Sequence, residues 1–428
     1  MLPLTRDLAR VILAGMERVR PRWLVLLAFF SLAGCGSAGA ASTAGGSSGA
    51  LARTPARRCV GPARLSAGVS FPAWRLGAVR FSSASIGIGI TTSAIGCDYP
   101  LPTGGIEVGQ QSQVTQLATT SDGGLAWQLT GAPVPATATY RGLTPEQLVA
   151  TSSSDVWAVV GKGRLVTTSD GGASWTVQHL SGTVSQIEVA GGSVWALTCV
   201  GVRPYAFACR PQLWRSRTPG SGWSRVALPP RTAADPQSVQ LAVLPGTLIV
   251  GVLGPGSAGS FELLRSDDLG GRWHARPVSW HGQPCDSGSL VSAPPITAWL
   301  LCNTGAIGGS GNSDKILLGT TDGGKTWRTV SSVTLTDPPR PGQLQRAEPV
   351  ALAAGSPNRL WLTGDNDLTV SSDGGRRWGP VPGVNPQQAP TTFDVLDASH
   401  AWMLGLDSSL WRTTDGVSWH RVGPVHTS

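Results

Sequence analysis

One pattern, Ser/Thr-x-Asp-x-Gly-x-x-Trp, recurs in register along this chain, and few folds accommodate such a repeat. Its copies run from Thr120 through Asp122 and Gly124 to Trp127, from Thr168 through Asp170 to Trp175, and from Ser266 through Asp268 to Trp273. Others reach from Asp322 to Trp327 and from Asp373 to Trp378, and Asp415 to Trp419 is a copy one residue shorter. A seventh keeps the frame from Ser216 to Trp223 but puts Thr218 where the Asp belongs. The seven Trp residues are separated by 48, 48, 50, 54, 51 and 41 residues, so the chain is built from units of similar length. Fixed periods of this size mark repeat architectures.

A second signal keeps step with the first. Short β-rich runs precede the turns: Asp155-Val-Trp157, Ser193-Val-Trp195, Thr297-Ala-Trp299, Arg359-Leu-Trp361 and His400-Ala-Trp402, with Thr247-Leu-Ile-Val and Ser85-Ile-Gly-Ile in the remaining two slots. Between Val184 and Ala227 the composition resolves into four strand-length segments. Four strands per repeat predict an all-β, seven-bladed propeller of antiparallel blades. Abundant Gly (56) and Pro (32), with 17 Trp and 3 Tyr, suit many short strands joined by turns. Within each turn the Asp accepts backbone N–H groups, the Ser or Thr adds a further bond, Gly supplies positive φ, and the Trp buries its ring as the outer strand begins.

These turns resemble the Asp-box, or bacterial neuraminidase repeat, found in sialidases, xyloglucan hydrolases, sortilin-type receptors and photosystem II assembly factors. The likeness covers residues 76–423. It implies that Asp122, Asp170, Asp268, Asp322, Asp373 and Asp415, with Trp127, Trp175, Trp223, Trp273, Trp327, Trp378 and Trp419, are structural. It says little about function, because in those families the box lies away from the binding face.

The sialidase likeness implies an Arg cluster, a Tyr nucleophile activated by Glu and an acidic proton donor. The chain departs from that set. Its nearest match to the early Arg motif is Ala73-Trp74-Arg75-Leu76, and only Tyr99, Tyr140 and Tyr205 offer a phenol, none in a late blade. Glu188 and Glu262 fall inside predicted strands. No catalytic residue is assigned, and a sialidase-like glycoside hydrolase remains the alternative. The Asp365-Asn366-Asp367 string lacks the Gly of a calcium loop, having Val370 in its place, and no paired Cys or His spacing suggests a metal. No metal or cofactor is expected. A net charge of +8 carried almost entirely by Arg is scattered rather than gathered in a stripe, which argues against nucleic acid.

Residues 1–35 read as an export signal: Arg18, Arg20 and Arg22 precede an apolar run from Trp23 to Phe30. The run is shorter than the roughly 20 residues of a membrane span. Leu32-Ala33-Gly34-Cys35 resembles the bacterial lipobox, which implies lipidation at Cys35 and a place on the outer face of the cytoplasmic membrane. Met16 is an alternative start. Residues 36–56, rich in Gly, Ala and Ser, form a flexible tether, and residues 57–428 form the propeller. The other six cysteines, an even set in an exported chain, suggest disulfides. Position within the repeats favours Cys199 with Cys209, Cys285 with Cys302, and Cys59 with Cys97.

With strands ordered outward from the axis, the repeated turns define one face, and the cysteines map to the other. The longest insertions, residues 92–113, 201–211 and 302–314, fall on that stapled face. Stapled loops on a rigid scaffold are suited to binding. The binding candidates there are Tyr99, Arg203, Tyr205, Phe207, Arg210, Trp280 and His281, with Arg141 and Arg346 near the start of inner strands. The closest overall likeness is to photosystem II stability and assembly factors, which implies a monomeric binding, assembly or receptor module. Its partner would be a protein or glycan of the cell envelope.

Overall fold

The computed structural model describes residues 74–422, apart from 96–97, 101–105, 109–111, 135–146, 162, 202–208, 220, 230–238, 255–260, 281–282, 286, 308–312, 339, 347–348, 365–367, 385–389 and 406–408. Seven antiparallel sheets follow one another along the chain, each from a single contiguous stretch. Blade 1 comprises Trp74–Phe81, Gly87–Ile95, Ser112–Thr120 and Gln128–Thr130, and blade 3 comprises Thr183–Ala190, Ser193–Val200, Arg210–Ser216 and Ser224–Val226. Blade 7 closes the series with Pro390–Val395, Ala401–Gly405, Leu410–Thr413 and Trp419–Val422. Blade 4 carries a fifth short strand, Gln283–Pro284, outside His274–Trp280. No helix occurs among the described residues, and the fold is the predicted all-β seven-bladed propeller.

The first strands of successive blades contact one another around the ring, and that of blade 1 meets that of blade 7. Glutamines stitch three of these contacts. Gln147 of blade 2 donates Nε2 to the Ser185 carbonyl at 2.7 Å and accepts the Ile187 N–H at 2.9 Å. Gln186 makes the same two bonds to Leu241, both 2.8 Å, and Gln240 makes them to Gly288 and Leu290. A planar amide offers one donor and one acceptor side by side, so it satisfies two backbone groups of a neighbouring strand at once.

Between blades 7 and 1 an acid takes over. Asp394, 4% exposed, accepts the Phe81 N–H at 2.5 Å and the Arg80 guanidinium at 2.9 Å. Among the described residues no strand from one end of the chain completes a blade at the other, and side chains join the two blades. Burial pushes the Asp394 carboxyl up from its ordinary range, opposed by the Arg80 charge and the Phe81 bond.

A tryptophan device works further out. In blades 5, 6 and 7 the second-strand residues Trp299, Trp361 and Trp402 donate their indole N–H to Gly374, Gly416 and Gly123 of the next blade's repeated turn, at 3.0–3.2 Å. Blade 4 has Ile249 in that slot, and Arg265 supplies the donor instead, to the Gly323 carbonyl at 2.6 Å. Trp157 and Trp195 face turns in which Pro219 and Leu269 replace that glycine, and their buried N–H groups have no acceptor.

The turns themselves follow one plan. Thr120 Oγ1 donates to Asp122 Oδ1 at 2.8 Å while accepting the Gly124 N–H at 3.0 Å, and the carboxylate receives the Ala126 N–H at 3.0 Å. Equivalent bonds form at Asp170, Asp268, Asp322, Asp373 and Asp415. Hydrogen bonds to the ionised form hold these acids low. For Asp170 the Ser174 hydroxyl leads and the value falls to about 2. Asp322 also falls to about 2, the Thr326 bonds outweighing a partial burial that raises it.

The third turn, without an Asp, is closed from its other end. Ser221 Oγ accepts the N–H groups of Arg217 at 3.2 Å and Thr218 at 3.0 Å, and donates to the Thr218 carbonyl at 2.9 Å. A hydroxyl three residues downstream of Thr218 thus ties the start of this turn, whereas in the other copies the carboxylate holds its end.

Two of the expected insertions are more regular than a loop. The stretch after Cys302 is strand on both sides, Thr297–Ile307 pairing with Ser313–Thr320 across an irregularity at Thr304 and Ile307. In blade 1, Asp98–Pro100 and Ile106–Val108 form a small two-stranded ribbon.

Candidate functional site

Of the predicted binding residues, Arg141, Arg203, Tyr205, Phe207 and His281 lie outside the described residues, as do Cys35, Cys59 and Cys97. Tyr99 sits on the blade 1 ribbon and Trp280 ends the fourth strand of blade 4. Arg346 is half-buried in the connection before blade 6; its guanidinium donates to the Asp337 carbonyl, and its own carbonyl accepts from Lys315 Nζ. Lys315 is itself wholly buried, a position that sequence reading did not single out.

Arg210 is the predicted residue that the structure places in a concave site. Cys199 is the penultimate residue of the second strand of blade 3 and bonds Cys209, which immediately precedes the third strand. Both cysteines are buried in the cluster between blades 3 and 4 with Leu197, Leu213 and Leu241. The disulfide therefore fixes the backbone from which exposed Arg210 projects. The second predicted bridge, Cys285 with Cys302, is also formed, with both residues fully buried.

Beside Arg210 the sheet is incomplete. The fourth strand, Ser224–Val226, pairs only with Leu213, Trp214 and Arg215, so Arg210, Pro211 and Gln212 extend beyond it. Pro229, having no N–H to continue the ladder, follows shortly after. The result is a cavity of about 380 Å³ lined by Arg210, Gln212, Arg225, Val226 and Leu228 with two prolines, and no carboxylate among the described residues lines it. Gln212 is 8% exposed, and its Oε1 has no hydrogen-bond partner. A buried acceptor left unmatched carries its full desolvation penalty, a state that a bound donor relieves. Two exposed guanidinium groups and one unpaired amide oxygen together suit a ligand that carries both a carboxylate and an N–H or O–H group. Arg225 and Gln212 were missed by sequence reading; neither stands in a motif, and only the shortness of the fourth strand brings them together.

Near the axis lies a second polar group. Glu188, on the inner strand of blade 3, accepts Gln186 Nε2 at 2.9 Å. Burial raises its pKa, opposed by that bond and by the charge of Arg80. Arg80 thus serves two acids, Asp394 through a direct ion pair and Glu188 through its field. Since Asp394 also holds the Phe81 N–H, this cluster belongs to ring closure.

No family model matches the chain, and no curated protein is similar enough to match. Solved structures do resemble it. The structure described as YCF48 bound to D1 peptide is 17% identical, with a TM-score of 0.50 over 84% of this chain and 96% of that one. An ancestral GH74 enzyme is 11% identical at a TM-score of 0.55, over 82% of this chain and 47% of that one. The acylaminoacyl peptidase of Pyrococcus horikoshii is 10% identical at 0.50, over 82% and 52%. At such identities the likeness is one of fold, and for the latter two the chain spans about half the partner's length.

Proposed function

We propose that this chain is an exported, lipid-anchored binding or assembly module that holds a protein partner on the propeller face opposite the Asp-box turns. The carrying observation is the blade 3 cavity, where exposed Arg210 and Arg225 flank the buried, unpaired Oε1 of Gln212. An extended acidic segment meets each demand of that surface: carboxylates for the guanidiniums, a main-chain N–H for the amide oxygen, and apolar side chains for Val226 and Leu228. The peptide complex of YCF48 is an instance of this fold used for peptide recognition. Export follows from residues 1–35 and anchoring from Cys35, with residues 36–56 as tether.

The test compares wild-type protein with an Arg210→Glu, Arg225→Glu variant as bait for cross-linking to envelope extracts, identified by mass spectrometry. Expected is a partner recovered by the wild type and lost with the variant, and a Cys35→Ala chain found in the soluble fraction. An unchanged cross-link profile, or turnover of sialosides or β-glucans by the wild type, would overturn the reading in favour of another surface or of hydrolysis.

A further inference from the structure

The repeat that ends the chain differs from the rest by one deleted residue, and the deletion leaves a donor without its acceptor. In blades 1, 5 and 6 the turn Trp donates its indole N–H to the carbonyl of the second turn glycine: Trp127 to Gly124 at 3.1 Å, Trp327 to Gly324 at 3.2 Å and Trp378 to Gly375 at 2.9 Å. In blades 2, 3 and 4 it reaches instead to the outer segment of the preceding blade: Trp175 to the Ala132 carbonyl, Trp223 to Gln178 Oε1 and Trp273 to the Ala227 carbonyl, at 2.7–3.2 Å. In blade 7 the turn reads Asp415-Gly416-Val417-Ser418-Trp419, and Gly416 matches the first glycine, since its carbonyl accepts Trp361 as Gly374 accepts Trp299. The second glycine is the deleted residue. Trp419 is 3% exposed, and its Nε1 has no partner.

The alternative acceptor is missing too. In blade 6 the segment corresponding to Ala132 and Ala227 follows Gly379–Pro380, and there Pro382 and Gly383 line an open groove of about 560 Å³ rather than filling it. Trp419, Trp411 and Val417 form its apolar part, Val417 being 40% exposed. Exposed His420 and Arg421 stand at its edge, and no carboxylate among the described residues lines it.

We propose that this groove, at the outer edges of blades 6 and 7, binds an extended acidic peptide segment, one of whose main-chain carbonyls accepts the Trp419 indole N–H. The molecule itself shows what suits the place. In two other blades a peptide carbonyl from a short irregular segment takes the equivalent indole, and in a third an amide oxygen does. Arg421 sets the sign of the preferred charge, His420 offers a further polar contact, and Val417 with Pro382 sets an apolar one. The site is independent of the blade 3 cavity and stands whether or not that reading does.

The experiment titrates intact protein, 15N-labelled at its tryptophan indoles, with the blocked peptide acetyl-Glu-Pro-Leu-Glu-amide and its Lys-for-Glu counterpart. A Trp419→Phe variant assigns the resonance. The expected result is a saturable downfield shift of the Trp419 N–H with the acidic peptide alone. Affinity should weaken about fivefold in Trp419→Phe, which keeps an aromatic ring but no donor, and about tenfold in Arg421→Glu. If Trp419→Phe fails to fold, the wild-type shift and the exposed Arg421→Glu variant still decide. A resonance unmoved at millimolar peptide, equal response to the basic peptide, or a shift with a glucan oligosaccharide alone would overturn the proposal.

Discussion

Phe81 of the first blade and Trp402 of the last lie ring on ring, centroids 3.6 Å apart and planes within 1°. The Trp402 indole continues to the Gly123 carbonyl, and Arg412 lies 5.7 Å from its ring centre. Ring closure is thus one connected unit of Asp394, Phe81, Trp402 and Gly123. Truncating Trp402 to Ala removes a fully buried ring and should cost about 3–5 kcal/mol. Asp394→Ala strands the buried Phe81 N–H and removes the partner of a part-exposed Arg80, with an expected cost of about 1–3 kcal/mol. Denaturant unfolding checks both, and a loss within 0.5 kcal/mol (roughly that of a surface change) would mean that the junction is held elsewhere.

Glu188 is raised by burial as Asp394 is, but it makes no direct ion pair among the described residues, so its replacement should act in the opposite sense. Its folded pKa is raised by burial, so its contribution is most favourable below the unfolded carboxyl range and declines as pH rises through the folded value. Glu188→Gln is therefore expected to stabilise the chain near pH 7, with the gain vanishing toward pH 4. A variant less stable than wild type at pH 7 would show that the charge is needed by Arg80.

The turn acids carry the complementary sign. Asp170 and Asp322 are depressed to about 2 from an ordinary 3.8, so their contribution is complete above the ordinary value and is lost as pH falls toward 2. Thermal midpoints followed from pH 5 to pH 2 should drop steeply, and the drop should be shallower in an Asp170→Asn, Asp322→Asn chain. Parallel curves would assign acid lability to other groups.

In the third turn, Ser221→Ala leaves the Arg217 and Thr218 N–H groups without their acceptor, and the expected loss is about 1–2 kcal/mol. Restoring the repeat with Thr218→Asp in that background should recover most of it. Calorimetry on the single and double variants separates rescue from simple addition of two losses.

Replacing Cys199 and Cys209 by Ala opens a short loop and should cost about 2–3 kcal/mol on chain-entropy grounds. The same change frees the backbone under Arg210, so peptide binding at the blade 3 cavity should weaken beyond the effect of global stability. Affinity measured well below the unfolding temperature distinguishes the two.

The architecture was legible because its determinants are local. An Asp, a glycine and a Trp at fixed offsets close a turn with their own backbone, so the seven copies announced both the blade count and the strand frame. Buried runs such as Ser193–Val200 were equally readable from their composition. The two disulfides among the described residues followed from where the cysteines fell in that frame. The glutamines at 147, 186 and 240 were not legible, since each acts on a strand of the next blade and nothing in its neighbourhood marks it. Arg225 and Gln212 escaped for the same reason.

Sequence alone determined that this chain repeats, how often, and with which turn, because short-range hydrogen bonding between neighbours in the chain needs no tertiary context. It also recorded that Thr218 replaces an acid and that the last turn is one residue short. What those departures do was decided by the tertiary structure. Whether a turn indole such as Trp175 or Trp419 is matched depends on which carbonyls and amide oxygens distant segments bring within about 3 Å. For Trp175 the fold supplied the partner, the Ala132 carbonyl of the preceding blade; at Trp419 it left a groove.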